Sequence, residues 1–296
     1  MGLHLPGKPR GRRPVGKTSL LAVLAAAVVL LGGCSSETKG EWKRIAMPDP
    51  ASVQGEHNLA LWQGAWIAAM ITGVIVWGLI FWSIWHFRRR SDSDIPVQTR
   101  YNLPIEIFYT IAPVLMVIVF FTHTVRTQDA ILDESKVDNT IEVVGQQWSW
   151  TFNYGLGTRD AQADVVATDD TFPYSSYVSE VGTAQYVPTL VLPIDRTTRF
   201  NLHSPDVVHS FSVPGFIMKM DVVPGRVNHY AITPTRIGEY NGNCFELCGV
   251  YHSRMIFHVK VVSEADYESY LEELKNDGRE SSKPLLGGSE AYTQAG

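Results

Sequence analysis

Apolar and polar positions alternate in blocks along this chain, and each block predicts a different kind of element. The first apolar run, LLAVLAAAVVLL at 20–31, follows Lys8, Arg10, Arg12, Arg13 and Lys17 and precedes GGC. A basic start, a short apolar stretch and small residues before a cut predict a signal peptide over 1–33. The run falls short of the ~20 residues that a stable membrane span needs. From His57 to Phe87 there is no Asp, Glu, Lys or Arg, and tryptophans gather toward the ends of that stretch. This predicts a first span over about 59–87, with aromatic belts at both interfaces. A second span is predicted at 105–125, IEIFYTIAPVLMVIVFFTHTV. The loop between them, 88–104, carries Arg88, Arg89, Arg90 and Arg100. Positive charge stays on the cytoplasmic side. The hairpin at 57–126 therefore turns inside the cell, and segment 34–56 and everything after the hairpin lie outside.

Beyond residue 138 the period shortens. TIEVVGQQWSWTF (140–152), YVPTLVLPI (186–194), TRFNLHS (198–204), VHSFSV (208–213), VNHYAIT (227–233), GEYNGN (238–243) and MIFHVKVV (255–262) read as strands. They are rich in β-branched and aromatic residues and are separated by Pro, Gly and Asp. Many short strands without intervening helices predict a sandwich or barrel over 138–262. Segment 153–185 is polar and reads as a long surface loop. Residues 263–277 read as a helix with Ser263 as its N-cap, and 278–296 as a flexible tail.

Charge adds a constraint. The leader holds five basic and no acidic residues, so its removal takes the net charge from −5 to −10, and beyond residue 126 there are 23 acidic against 12 basic side chains. An acidic exported portion argues against nucleic acid and for a cationic partner surface. LGGC at 31–34 resembles a bacterial lipobox. It predicts a lipid anchor at Cys34; an ordinary signal with an incidental cysteine is the alternative. Glu106 sits at the start of the second span, one turn before Thr110. An ionisable group there is costly and marks either a functional site or a carboxylate snorkelling to the interface.

The candidate chemistry is concentrated in NCFELCGVYHSRM, 243–255. Cys244, Cys248, His252 and Met255 crowd one short loop, although the chain has only three cysteines. Outside the cytoplasm a disulfide is the default for such a pair, and two thiolates with two imidazoles also suit zinc. Thiolate together with thioether favours copper. His209, on a strand edge just upstream, is the second imidazole within reach in a sandwich. One early histidine with a late Cys–His–Met loop is the layout of cupredoxins, and a second cysteine allows two thiolates to bridge two ions.

At this point a family resemblance appears. CFELCGVYHSRM (244–255) is similar to the C-x-E-x-C-x-x-x-H-x-x-M motif of cytochrome c oxidase subunit II. HSFSVPGFIMKMDVVPGR (209–226) and GQQWSW (145–150) resemble two further stretches of that family, and the paired spans resemble its hairpin. The resemblance covers about 55–265. It implies a two-helix transmembrane hairpin followed by an all-β, Greek-key, cupredoxin-like domain outside the cell. It further implies a dinuclear copper centre, CuA, bridged by Cys244 and Cys248. His209 and His252 would each bind one ion, with Met255 and the Glu246 carbonyl as weaker ligands. The Glu246 side chain would serve a magnesium ion shared with subunit I. Trp148 would receive the electron from cytochrome c, which in a Gram-positive envelope is in some cases membrane-bound, while Trp150 would be a core aromatic. Asp206, Asp160, Asp164, Asp169 and Asp170 would form the docking face, and Glu106 the mouth of a proton path. Subunit I, with its haem and copper, and further oxidase subunits would complete the enzyme, which reduces oxygen to water and translocates protons. The rival readings are a membrane-anchored copper chaperone and a thiol-redox lipoprotein. A chaperone of the thioredoxin-like kind, however, carries its cysteines early, at a helix start.

Overall fold

The computed structural model describes residues 36–91, 95, 97–160 and 172–288. The predicted signal peptide, Cys34, Asp164, Asp169 and Asp170 lie outside the described residues. Residues up to Met47 belong to a separate unit, whose helix α1 (Ser36–Arg44) is followed by a turn in which Arg44 Nε donates to Met47 O at 3.1 Å.

The second unit begins with two long helices, α2 (Val53–His86) and α3 (Leu103–Ile131). Both are long and apolar enough to cross a membrane. At ~1.5 Å per residue, the 34 residues of α2 reach about 51 Å, well beyond a ~30 Å hydrocarbon core. The surplus is used to grip the β domain. Ala51 and Ser52 are fully buried, and Gln54 is nearly so. Ala51 N donates to Gly215 O at 2.8 Å, and Val53 N donates to Thr233 O at 3.1 Å. The Ser52 hydroxyl has two tasks. It accepts from Gly55 N at 2.9 Å as the helix N-cap, and it donates to Phe216 O at 2.9 Å. Asn58, one turn further, donates to Ile217 O at 2.8 Å. At the far end of α3, Glu134 takes Arg199 Nη1 at 2.8 Å and His229 Nδ1 at 2.9 Å. Both ends of the hairpin are thus fastened to the β domain.

The loop end of the hairpin is closed by a reciprocal cap. Asn102 Oδ1 accepts from Ile105 N at 3.4 Å, and Glu106 Oε1 accepts from Asn102 N at 2.8 Å. Glu106 therefore has a structural task at the start of α3.

The β domain is a two-layer sandwich of cupredoxin-like form. One sheet contains β1 (Asn139–Gln146), β2 (Ser149–Leu156), β3 (Ser176–Val181), β5 (Thr198–His203), β8 (Asn228–Ile232) and β11 (Glu280–Ser281). The other contains β4 (Thr189–Pro193), β6 (His209–Val213), β7 (Met218–Val222), β9 (Gly238–Cys244) and β10 (Ile256–Val262). Their orders are β11-β3-β2-β1-β5-β8 and β4-β10-β9-β6-β7. β1 runs parallel to β5 and β4 parallel to β10, and the other pairings are antiparallel. Between the layers, Trp150, Phe152, Phe200, Phe211 and Phe257 are all at most 1% exposed. Phe211 stacks on Phe257 at 5.0 Å, and Trp150 meets both edge-on at 5.4 and 5.5 Å. Burial of such rings is the main driving force for this fold, at roughly 1.5–3 kcal/mol each.

Several sequence expectations change. The single strand predicted at 140–152 is a hairpin, because Gln146 pairs with Ser149 and leaves Gln147 and Trp148 as its turn. The stretch expected as loop at 153–185 carries the end of β2 and all of β3, and β7 falls where no strand was expected. Helix α4 (Glu264–Asn276) starts at Ser263, whose hydroxyl accepts from Asp266 N at 3.2 Å. The residues expected as the start of a flexible tail are instead docked. β11 pairs with β3. Asn153 exchanges two hydrogen bonds with the Leu285 backbone, at 2.9 and 3.1 Å, and Gly288 N donates to Gln146 Oε1 at 2.9 Å.

Candidate metal centre

One end of the sandwich gathers the start of β6, the end of β9, the loop at 245–255 and the β1–β2 turn. His209 begins β6, and Cys244 ends β9. The two strands are paired there, with Phe211 opposite Cys244. The loop is closed at its base, where Cys244 N donates to Met255 O at 3.0 Å and Phe245 N donates to Ser210 O at 3.0 Å. A short 3-10 turn at His252–Arg254 then brings the second imidazole back toward the cysteines.

The result is a compact cluster of soft donors. His209, Cys244 and Cys248 hold their ligand atoms within 4.8 Å of one another. Cys244 Sγ lies 3.9 Å from His209 Nδ1, 3.2 Å from Glu246 O and 3.8 Å from Cys248 Sγ. Cys248 Sγ lies 3.5 Å from His252 Nδ1 and 3.8 Å from Met255 Sδ. Both cysteines are free, and their separation is far beyond the ~2.05 Å of a disulfide bond. It is, however, the separation expected of ligands that share a metal. Bonds of ~2.3 Å to sulfur and ~2.0 Å to nitrogen at tetrahedral angles put two sulfurs about 3.8 Å apart, and sulfur and nitrogen about 3.5 Å apart. His209 and Met255 are fully buried and the two sulfurs nearly so, while His252 is half-buried. The donors therefore fit a soft metal shielded from water.

The electrostatics match. Burial pushes the Cys244 thiol up, but hydrogen bonds from His209 and from the backbone at Glu246 and Ser210 outweigh it and bring it down to about 7. Burial, followed by the charge on Cys244, pushes Cys248 up to about 12. Ionisation of Cys244 holds the proton on Cys248, because two adjacent negative charges repel. A cation binding here displaces the remaining proton.

A surrounding layer of hydrogen bonds orients the ligands. His209 Nε2 meets Asp206 Oδ1 at 2.8 Å, which leaves Nδ1 facing the sulfurs. The Asp206 oxygens also accept from Val207 N at 2.6 Å and Gln147 N at 2.7 Å. Burial raises the Asp206 carboxyl, but hydrogen bonds from Gln147, His209 and Val207 more than offset it, so the group stays below its ordinary range. Asp206, expected on a docking face, is an exposed residue whose carboxylate also bonds the His209 ring. Trp148 is partly buried, packs edge-on against Tyr251 at 5.0 Å and donates from Nε1 to Cys248 O at 3.2 Å. Trp150 lies in the core and donates from Nε1 to Met255 O at 3.3 Å.

Other expected residues are not gathered here. Asp160 follows the far end of β2, about 25 Å along the strand from Trp148 at ~3.3 Å per residue. Glu106 lies in the first turn of α3, at the loop end of the hairpin. The Glu246 side chain is exposed, although its carbonyl faces Cys244. Gln147 belongs to the site, yet sequence reasoning gave it no task; the only available signal was its place beside Trp148 in GQQWSW.

Comparison with known proteins bears on this geometry. The family model described as cytochrome C oxidase subunit II, periplasmic domain, matches residues 139–262, and that described as its transmembrane domain matches residues 40–125. The chain is similar to a probable cytochrome c oxidase subunit 2 of Streptomyces avermitilis, 44% identical over 291 residues and covering 90% of each chain. It is also similar to a cytochrome c oxidase subunit 2 of Mycobacterium tuberculosis, 34% identical over 322 residues that cover 94% of this chain and 86% of the relative.

Proposed function

The chain belongs to the cytochrome c oxidase subunit II family, and we propose that it is the electron-accepting subunit of its oxidase, with a dinuclear copper centre held by the cluster described above. It is a membrane protein with an extracytoplasmic β domain and forms part of a haem–copper oxidoreductase complex. The observation that carries the copper reading is a cluster of six donors of the right kind built around two unbonded sulfurs. They are the sulfurs of Cys244, Cys248 and Met255, the imidazoles of His209 and His252, and the carbonyl of Glu246. Six donors exceed the four seats of a tetrahedral zinc site, and a thioether beside thiolates favours copper. Cys244, Cys248, His209 and His252 would hold the copper pair, with Met255 and Glu246 O as weaker ligands. When bound, the copper pair supplies a reversible one-electron couple.

The chain's own residues do the rest. The aromatic core beneath β6 and β9 holds the ligands in place and excludes water, so the site changes little between charge states. The Trp148 indole, partly exposed and bonded to the carbonyl of a ligand residue, is the contact through which cytochrome c delivers its electron. The acidic balance beyond residue 126 attracts that basic, and in some envelopes membrane-bound, partner. Electrons pass onward to the haem and copper of subunit I, where oxygen is reduced to water and protons are moved. The exposed carboxylate of Glu246 would hold magnesium shared with subunit I. Glu106 would pass protons inward from the cytoplasmic side, and Cys34 would carry a lipid anchor.

Metal analysis of the full chain, purified in detergent and loaded with copper, tests the reading. Two copper ions per chain are expected, and Cys244→Ser or Cys248→Ser should each abolish the pair. One ion per chain, or a preference for zinc, would overturn it.

A further inference from the structure

Gln147 occupies the first position of the two-residue turn between β1 and β2, and it touches both halves of the ligand set. Its backbone N–H donates to Asp206 Oδ2 at 2.7 Å, while the other oxygen of that carboxylate holds His209 Nε2 at 2.8 Å. Its side-chain Nε2 donates to the Cys248 carbonyl at 2.7 Å, which also receives Trp148 Nε1 at 3.2 Å. Two N–H dipoles therefore converge on the backbone of one cysteine ligand. The peptide beneath them is pressed close. Gly249 adopts φ +125°, and a Cβ there would lie 3.2 Å from Gln147 Nε2 and 3.1 Å from Trp148 Cζ2. Only glycine combines that backbone angle with that approach.

We infer that Gln147 is a positioning residue that locks the His209 strand to the Cys248 loop and sets the reduction potential of the metal pair through the Cys248 carbonyl. The inference rests on the copper reading above. Its physical basis is electrostatic. Reduction adds one electron to a shielded, low-dielectric site, where fixed dipoles act strongly. N–H groups that point their positive ends at a ligand residue favour the electron-rich state and raise the potential. The side chain also restrains the loop that carries Cys248, Gly249 and His252, so its loss loosens the grip on metal.

The test separates these effects from a general defect, because any side-chain change leaves the Gln147 backbone N–H free to reach Asp206. Gln147→Leu removes the donor at similar size. Gln147→Glu keeps size and polarity but turns an acceptor toward the Cys248 carbonyl. In the full chain in detergent, both variants should bind copper about tenfold more weakly in chelator competition, the usual scale for loss of an outer-layer partner. Both should also have a lower midpoint potential in a spectroelectrochemical titration, and Gln147→Glu should lower it further than Gln147→Leu. A tenfold shift in the redox equilibrium corresponds to about 59 mV for one electron. Should Gln147→Leu fail to fold, Gln147→Glu alone decides the sign. Potentials and affinities equal to those of the unaltered chain, or a raised potential, would overturn the inference. If the unaltered chain itself binds no copper pair, the copper reading fails first and takes the inference with it.

Discussion

Asp206→Asn is a small change at a crowded place. Oδ1 of Asp206 accepts from Val207 N at 2.6 Å and contacts His209 Nε2 at 2.8 Å, while Oδ2 accepts from Gln147 N at 2.7 Å. An asparagine has one oxygen to offer. Whichever way it turns, its NH2 faces a donor and at least one charge-assisted hydrogen bond is lost. Such a bond is worth about 1.5–3 kcal/mol. The Asp206 side chain is 26% exposed, so solvent recovers part of this, and a loss of about 1–2 kcal/mol is expected. That energy is lost from the orientation of His209, so copper affinity should fall by about tenfold, the lower end of the range for outer-layer partners. Chelator competition on the full chain in detergent measures the affinity, and thermal unfolding of the copper-free form measures the stability.

The pH dependence carries its own sign. The Asp206 carboxyl sits below its ordinary value of 3.8 in the folded chain. Its contribution is therefore fully present above that value and is lost as pH falls through the lower, folded value. The stability gap between the two proteins should be constant at neutral pH and close below about pH 4. A copper affinity within about twofold of the unaltered chain, or a gap that does not close in acid, would refute this account of Asp206.

Three other predictions follow from the same contacts. Ser52→Ala should destabilise the full chain by about 1–2 kcal/mol in thermal unfolding, because one buried hydroxyl both caps α2 and holds Phe216 O; Ser52→Thr should recover most of the loss, and a change under about 0.5 kcal/mol for the alanine variant would contradict it. In the copper-free chain, thiolate absorbance should rise in two steps, Cys244 near pH 7 and Cys248 near pH 12. Relative to an ordinary thiol at 9.0, Cys244 adds stability as pH rises from 7 to 9, and Cys248 removes it from 9 to 12; a single joint step near 9 would contradict the asymmetry. Trp148→Phe keeps the packing on Tyr251 but removes the bond to Cys248 O. It should slow electron uptake from cytochrome c by at least about tenfold with full copper content, the scale of other outer-layer losses, and loss of the copper would move Trp148 from relay to scaffold.

What the sequence revealed depended on whether the information was local. The spans were legible because the stretch from His57 to Phe87 contains no charge, and the ligand loop because Cys244, Cys248, His252 and Met255 lie within twelve residues. The β1–β2 hairpin was hidden because its turn is Gln-Trp, without the Gly, Asn, Asp or Pro that usually mark one. The β pattern of IEVVGQQWSWTF runs straight through it. β3, SYVSEV, is half polar because its sheet is covered on its outer side as well, where Ser179 donates to Asn153 beside the docked Leu285 backbone. Glu180, on the opposite face, is buried with Tyr186 and Arg279 as partners. The docked segment at 280–288 owes its order to Asn153 and Gln146, which are far away in sequence, so a composition of Gly, Ser and Lys misleads. Asp206 was visible as an acid, but not that Gln147 N, Val207 N, the Ser204 hydroxyl and the His209 ring would all face it. Glu106 was visible as an anomaly, but not as the partner of Asn102 in a helix cap.

The most direct test of the central claim is electron paramagnetic resonance of the oxidised, copper-loaded full chain. One unpaired electron shared equally by two copper nuclei, held between Cys244 and Cys248, should give a seven-line hyperfine pattern. A four-line pattern from a single copper, or a silent protein in which those two sulfurs are bonded to each other, would contradict it.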